Sequence, residues 1–559
     1  MKLQQRQQNL PKTGTAVLTL AMLALIVIVG SYIRLAHLGG PSFWVDEMNH
    51  VTAARSLLDG KGAVLLSQIP YTRSILFTHL VSYSISFFTT DEFAARLPSA
   101  LFGILTIVLI FYIGWRMFGR RIHGLVAALL YASNPFMIGW ARECRMYSMF
   151  QFLFILGVYA IYEGFEGTRI KPGASIASQS TIKSLSRQWN LDFPWIIVTM
   201  VALFMATSLQ ILASVLLPAI VVYLTTMVLF LWIFSGWKQM IYSKYVYFLM
   251  AIFVMLAAGS VLLPGFWQEA RSTMAFAPNW ARHEYVQNPL YYYYFVTSSF
   301  YFSIAVFFLV GAGFIIARWH RSGYYLLLNF LVPVALLSFL FVVRVERYIY
   351  HLYPLLLLVV SYGVVDLGSI LKKNFHQRLL AKLGDRWQLA STVVAYAFVV
   401  AFLLAILGMS DWFRFSRKIP SLQYGTNCAV EHLEWREGID FMKPKLTREA
   451  PIISTLPLTV HYYAGRAEYF LASLQNPRPD EVYISPTGKR DTYSNALVID
   501  TVDDLKNIMA SSARGWLVVD RFRFEQARFV RPEVMNYIKM NLKLAYLTPG
   551  GTIEVYVWE

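Results

Sequence analysis

The chain has 559 residues, of which 57% are hydrophobic and only 14% charged, with a formal net charge of +17. A soluble globular domain carries roughly a quarter charged residues, so the composition excludes one and indicates an integral membrane protein. The basic residues recur as short clusters between apolar stretches instead of forming one patch, which excludes a nucleic-acid-binding reading of the charge.

The N-terminus, MKLQQRQQNLPKTG, is basic, and the apolar run from Ala16 to Tyr32 follows it without a clear small-residue cleavage site. At close to the ~20 residues needed to span, this run is expected to be an uncleaved first helix. Runs of spanning length recur at 15–35, 97–115, 123–140, 147–162, 193–209, 211–234, 246–264, 293–317, 324–343, 351–371 and 389–410. The expectation is therefore about eleven transmembrane helices. The segment 75–90 carries His79 and several Ser and Thr, and is expected to lie in the interface.

Charge tests that choice. With the N-terminus inside, the inside loops hold Lys2, Arg6 and Lys12, then Arg116, Arg120 and Arg121, then Arg169, Lys171, Lys183 and Arg187. They continue with Lys238 and Lys244, Arg318 and Arg321, and finally Lys372, Lys373, Arg378, Lys382 and Arg386. This is the pattern of the positive-inside rule, and counting 75–90 as a span would turn every later cluster outward. The Gly/Ser-rich loop 164–190 is expected to be a mobile inside linker.

The outside loops, 36–96, 141–147, 265–292 and 344–350, mix acids, bases and aromatics. The tail also falls outside and loses the long apolar runs. Strand-like APIISTLP, ALVID and RGWLVVD alternate with helical TVDDLKNIMASS, which Thr501 and Asp504 are placed to cap, and a closing hairpin turns on Gly550-Gly551. The fold class is an all-α polytopic membrane protein, residues 1–412, followed by an extracytoplasmic soluble α/β domain, residues 413–559. Cys144 and Cys428 form no metal-binding spacing, and no Asn-x-Ser/Thr acceptor occurs, which tilts the expected location toward a prokaryotic plasma (inner) membrane.

Four outside clusters carry candidate chemistry. The first is Asp46-Glu47 with His50, in WVDEMNHVTAARSLLDG, where Met48, Val51, Ala54 and Leu58 share a helical face. The second is Asp91-Glu92 with Arg96. The third is ARECRMY, with Arg142, Glu143, Arg145 and Tyr147. The fourth is RVERYIYHLYP, with Arg344, Glu346, Arg347, Tyr348 and His351. Arginines on the disfavoured side suit an anion, because the guanidinium fork binds a phosphate bidentately. The loop 265–292 adds Trp267, Arg271, Trp280, Arg282, His283 and Glu284, with a tyrosine run at 291–294 that fits an aromatic belt. The spans are nearly free of acidic and basic residues, and 193–237 has no Asp, Glu, Lys, Arg or His. Ion-coupled transporters usually place such groups near the midplane, so a lipid or solute transporter or flippase is the weaker alternative, as is a non-enzymatic scaffold.

These motifs resemble the type C glycosyltransferases that use polyprenyl-phosphate sugars, in the branch of protein O-mannosyltransferases and aminoarabinose lipid A transferases. The resemblance rests on WVDE, on EFAARLPSALFGILTIVLIFYIGWRMFG and on NPFMIGWARECRMYSMF, and is strongest over residues 41–160. It implies a type C glycosyltransferase fold and transfer of a sugar from a lipid phosphate to an acceptor lipid, glycan or protein on the outer face. It implies that Asp46 is the catalytic acid/base, with Glu47 supporting it or holding a cation, that Arg96 acts at the active side, and that Glu346–Tyr348 meets the lipid phosphate. The chemistry needs positive charge beside the departing phosphate, for which Arg344, Arg347, Arg145 and Arg96 are candidates, with Arg142, Tyr147 and Tyr348 beside them. Where the family often has Pro-Pro-Leu or Lys-Pro, this chain has Pro70, with Arg73 as the nearby cation. Glu47, His50 and Glu143 are the candidate ligands for a divalent cation.

Overall fold

The computed structural model describes residues 12–88, 91–166, 191–262, 265–275, 288–298, 301–383, 388–409, 432–474, 482–486 and 488–559. Linker residues 167–190, and Trp280, Arg282, His283, Glu284 and Cys428, lie outside the described residues. The chain divides into two compact units, each assembled from separated stretches.

The first unit comprises Met1–Arg34, Leu101–Ala141 and Tyr147–Pro420. Among the described residues of the chain, seven helices are long and apolar enough to cross a membrane, or up to nine if each of two bent pairs is one span. The protein is thus an integral, multi-pass membrane protein. Shorter apolar helices cover Phe193–Leu209 and Ala390–Ala405, so each of the eleven expected positions is helical. The expected span at 123–140 is broken into Arg121–Ser133 and Pro135–Ala141, bent by 62°. The break has a local cause: a residue before proline is pushed out of the helical region, and Asn134 has ψ 121. Asn134 then caps the next helix, its Oδ1 accepting the Phe136 and Met137 N–H groups at 3.0 and 3.3 Å.

Glycine permits a close helix crossing in this unit. Helices Phe302–Ala317 and Tyr353–Leu383 meet at Gly311 and Gly363, where any Cβ would collide with the carbonyls of Val359 and Phe307. One cluster of buried charge in this unit sits at helix ends. The Glu166 carboxylate accepts hydrogen bonds from Tyr223 at 2.5 Å and Tyr245 at 3.0 Å, pairs with Arg321 and has Lys244 at 3.8 Å.

The second unit comprises Leu35–Ala100, Arg142–Met146 and Ser421–Glu559. Its helices are α1 (Val45–Leu58), α2 (Ile75–Phe87), the first turns of α3 (Glu92–Phe118), α4 (Trp435–Met442), α5 (Pro457–Ala464), α6 (Val502–Ser511) and α7 (Pro532–Asn541). At 13 residues, α2 is only ~20 Å long, short of the ~30 Å hydrocarbon core. Pro98 in α3 cannot donate to the Ala94 carbonyl, and the Ser84 hydroxyl of α2 does so instead at 2.6 Å.

The strands are β1 (Ile452–Ser454), β2 (Tyr469–Leu471), β3 (Val482–Ser485), β4 (Gly488–Asp491), β5 (Leu497–Ile499), β6 (Gly515–Asp520), β7 (Lys543–Leu547) and β8 (Ile553–Trp558). They form one sheet in the order β3-β4-β5-β2-β1-β6-β8-β7, with a parallel centre and antiparallel flanks. Every residue of β6 and β8 is buried, as central strands covered on both faces require. One face packs Leu505, Ile508, Val534 and Ile538 from α6 and α7, and the other packs Trp435, Ile439, Met442 and Val460 from α4 and α5. Thr501 and Asp504 form the expected capping box at α6, and the expected hairpin is β7–β8 with Gly551 at φ +68.

Candidate active site

Helix α1 places two adjacent carboxylates in its first turn, where acids complement the helix dipole. Their environments then diverge. Glu47 is fully buried and its carboxylate accepts four hydrogen bonds. Oε1 takes the Arg96 Nε–H at 2.8 Å and the Cys144 N–H at 2.6 Å; Oε2 takes an Arg96 Nη2–H at 2.7 Å and the Trp44 N–H at 3.2 Å. Burial alone would raise the Glu47 pKa, but the Arg96 charge outweighs it and holds the carboxyl below its ordinary value. Asp46 stays partly open, its side chain 32% exposed with Arg145 Nη2 at 3.4 Å from Oδ2. Arg145 also donates to the Asp46 carbonyl at 2.9 Å, so both ends of Asp46 face one guanidinium.

Arg96 was expected beside a lipid phosphate, and its donors are instead committed inside the protein. Besides Glu47 it serves the carbonyls of Leu38 at 3.0 Å, Pro41 at 2.9 Å and Ser42 at 3.2 Å, and Phe43 covers its guanidinium at 5.2 Å. It is 1% exposed. The turn after Ala141 contributes Arg142 and Glu143, both buried, and Arg145. The Ser99 hydroxyl holds that turn by donating to the Arg145 carbonyl at 2.8 Å.

His432 completes this cluster and was not among the sequence candidates. Its Nε2 lies 3.0 Å from Glu143 Oε1, and its Nδ1 lies 2.7 Å from the Ser42 carbonyl. The carbonyl takes the Nδ1 proton, so the Nε2–Oε1 contact shares a second proton. Burial would lower the His432 pKa, but the Glu143 charge raises it above the ordinary value; burial, reinforced by Glu47, raises Glu143. Both shifts keep a proton on the pair. Neighbouring contacts tie the same tail to the first loop. The Tyr463 hydroxyl donates to Glu92 at 2.5 Å and accepts the Phe43 N–H at 2.9 Å, and Arg436 pairs with Glu92 at 3.4 Å.

Glu47, Glu143 and His432 offer ligand atoms within 4.8 Å of one another, the metal-type grouping found among the described residues. The fit to a cation is poor. A carboxylate has about four acceptor positions, and Glu47 has filled four, so a metal there must displace Arg96 or a backbone N–H. His50, an expected ligand, is elsewhere: its Nδ1 is 3.0 Å from Thr78 Oγ1 and its Nε2 is 3.3 Å from the Tyr71 hydroxyl. Burial, with the charges of Arg145 and Arg73, drives the His50 pKa well down, so it is neutral. Burial pushes Tyr71 up to about 12, with Asp46 adding to it. Asp46, His50, Tyr71, Arg73 and Arg145 therefore share one electrostatic neighbourhood.

The remaining expected residues belong to the first unit. Tyr147 is buried, its ring 4.8 Å from Trp140. Arg344 donates to the carbonyls of Ser338 at 2.6 Å and Val342 at 3.4 Å. Glu346, Arg347 and Tyr348 form a single 3-10 turn. The turn is tied down by the Tyr291 hydroxyl, which donates to Glu346 at 2.9 Å.

This architecture is shared with solved proteins. ArnT from Cupriavidus metallidurans, in the apo state and bound to undecaprenyl phosphate, superimposes with TM-score 0.55 at 14% identity over 98% of each chain. The archaeal oligosaccharyltransferase AglB from Archaeoglobus fulgidus, in complex with an inhibitory peptide and a dolichol-phosphate, gives TM-score 0.57 at 11% identity, covering 97% of this chain and 74% of that one. The fold is thus that of the type C glycosyltransferases, as the motifs implied. Residues 72–178 match the dolichyl-phosphate-mannose-protein mannosyltransferase family. The matched stretch contains the second and third motif segments and begins after Trp44–Glu47. No curated protein matches in sequence.

Proposed function

We propose that the chain is a membrane glycosyltransferase that moves a sugar from a polyprenyl-phosphate donor to an acceptor on the extracytoplasmic face, by a single inverting displacement. The observation that carries this reading is the split between the paired acids. Glu47 is saturated and buried, whereas Asp46 is open, ionisable and oriented by Arg145. A hydroxyl is a poor nucleophile and gains from a carboxylate base within hydrogen-bond reach. In the step proposed, an acceptor oxygen attacks the anomeric carbon while its proton passes to Asp46. The bond from that carbon to the phosphate oxygen breaks, and its electron pair leaves with the polyprenyl phosphate. Positive charge must meet that developing anion; Arg344, Arg347 and Tyr348 are assigned to the lipid phosphate by the resemblance. Arg96 and Glu47 act as positioning residues, and no step is routed through a metal.

The fold likeness supports the donor class, since ArnT was solved with undecaprenyl phosphate and AglB with a dolichol-phosphate. The decisive experiment incubates the purified protein with a panel of radiolabelled polyprenyl-phosphate sugars. Transfer or hydrolysis of one member, lost on Asp46→Asn, is expected. Turnover of none, or turnover untouched by the substitution, overturns the assignment.

A further inference from the structure

Helix α1 carries Asp46 at one end and borders a cavity at the other. Thr52, Arg55, Ser56 and Asp59 recur at the i, i+3, i+4, i+7 spacing that shares one helical face. Together with His461 and Tyr462 of α5 and the loop 61–68, they line a cavity of about 180 Å³. That is well under the roughly 300 Å³ of a drug-sized pocket, and suits a single sugar ring.

The lining is built for a polar, negatively charged guest. The Arg55 guanidinium carbon lies over the Tyr462 ring, 4.0 Å from its centroid, which fixes a cation at the wall. Lys61 adds a second cation, braced by Asp59 at 3.2 Å. Ser56, 9% exposed, sits in the same wall one residue on from Arg55. Leu65 and Leu458, both buried, supply an apolar strip of the kind the C–H face of a sugar covers. The wall is firm. Gln68 holds a left-handed backbone at φ +66 with its N–H on the Leu65 carbonyl, and the Ser67 hydroxyl donates to the Thr492 carbonyl at 2.5 Å.

We propose that this cavity is an acceptor subsite that takes a sugar residue bearing a carboxylate or phosphate substituent. The proposal rests on the glycosyltransferase reading above. Arg55 is nine residues from Asp46, about 14 Å along the helix. An acceptor that reaches both is longer than one sugar, so the anionic ring lies some distance along the acceptor from the hydroxyl that is glycosylated.

The test is ligand-detected saturation-transfer NMR on the full chain in detergent, with glucuronate, glucose 6-phosphate, glucose and inorganic phosphate as probes. Glucuronate, glucose 6-phosphate or both are expected to bind the wild type and Asp46→Asn alike. Arg55→Gln is expected to weaken that binding about tenfold or more, as loss of a hydrogen bond to a charged group predicts. Lys61→Glu, at an exposed position that folding tolerates, is expected to weaken it in the same direction. The proposal is overturned if neither anionic sugar binds, if both variants bind as the wild type does, or if inorganic phosphate or neutral glucose binds equally well. Binding that persists while every donor in the transfer panel fails supports the subsite and sinks only the catalytic reading.

Discussion

Glu47 and Arg96 form a bidentate ion pair, 2.8 and 2.7 Å, sealed from solvent between the first helical turn of α1 and the start of α3. Removing one partner of a buried pair leaves an uncompensated charge and costs about 3–5 kcal/mol. Glu47→Gln leaves Arg96 in that condition and is expected to lower stability by that amount, read as a large drop in denaturation midpoint. A Glu47→Gln protein that melts like the wild type contradicts the structural role.

Asp46 is expected to behave in the opposite way. Its side chain is partly open, and its ion pair with Arg145 is a long one at 3.4 Å. Asp46→Asn keeps size and shape, so stability should stay within about 0.5 kcal/mol. Transfer should fall by about 10²–10⁴-fold, the usual contribution of a general base. Comparing melting curves and turnover of the two neighbouring variants separates base from brace. Retained activity in Asp46→Asn removes the base assignment.

Much of the helical unit could be read from the chain because each span is a local apolar run, and local patterns survive without knowledge of neighbours. The capping box at Thr501 and Asp504 and the β7–β8 hairpin were legible for the same reason. His432 was not. It meets Glu143 across 289 residues, and a single histidine among acids in a polar tail carries no spacing signal. The same limit applies to Tyr463, whose bond to Glu92 spans 371 residues. Adjacent acids at 46 and 47 look equivalent in sequence. They differ only because α1 turns one of them toward Arg96, and that follows from packing.

Arg347 tests the donor side independently of the base. A guanidinium on a phosphate is a charge-assisted contact, and such hydrogen bonds are worth about 1.5–3 kcal/mol. Arg347→Ala is expected to raise the KM for a polyprenyl-phosphate sugar about 10–100-fold. Arg347→Lys should recover part of the loss, since it restores charge without the planar fork. Steady-state kinetics with varied donor distinguishes this from a folding defect, which lowers the active fraction and leaves KM unchanged. An unchanged KM in Arg347→Ala removes the residue from the donor site.

The His432–Glu143 pair gives the second unit a pH signature. The His432 pKa is raised above 6.5 in the folded chain, so the folded state binds its proton more tightly than the unfolded state. Its stabilisation is fully present below about 6.5, the ordinary histidine value, and is lost as pH rises through the higher folded value. Glu143, also raised, acts with the same sign from about 4.3 upward. Glu47 acts oppositely: its lowered pKa stabilises the fold above about 4.3, and that contribution is lost as pH falls through its folded value. The melting temperature of the detergent-solubilised chain should therefore peak on the mildly acidic side and decline toward alkaline pH. In His432→Gln the absolute stability drops, because Glu143 loses its partner, and the decline above pH 6.5 flattens. The informative quantity is the slope between pH 6.5 and 9, since a merely structural role for His432 would shift the whole curve and leave that slope intact.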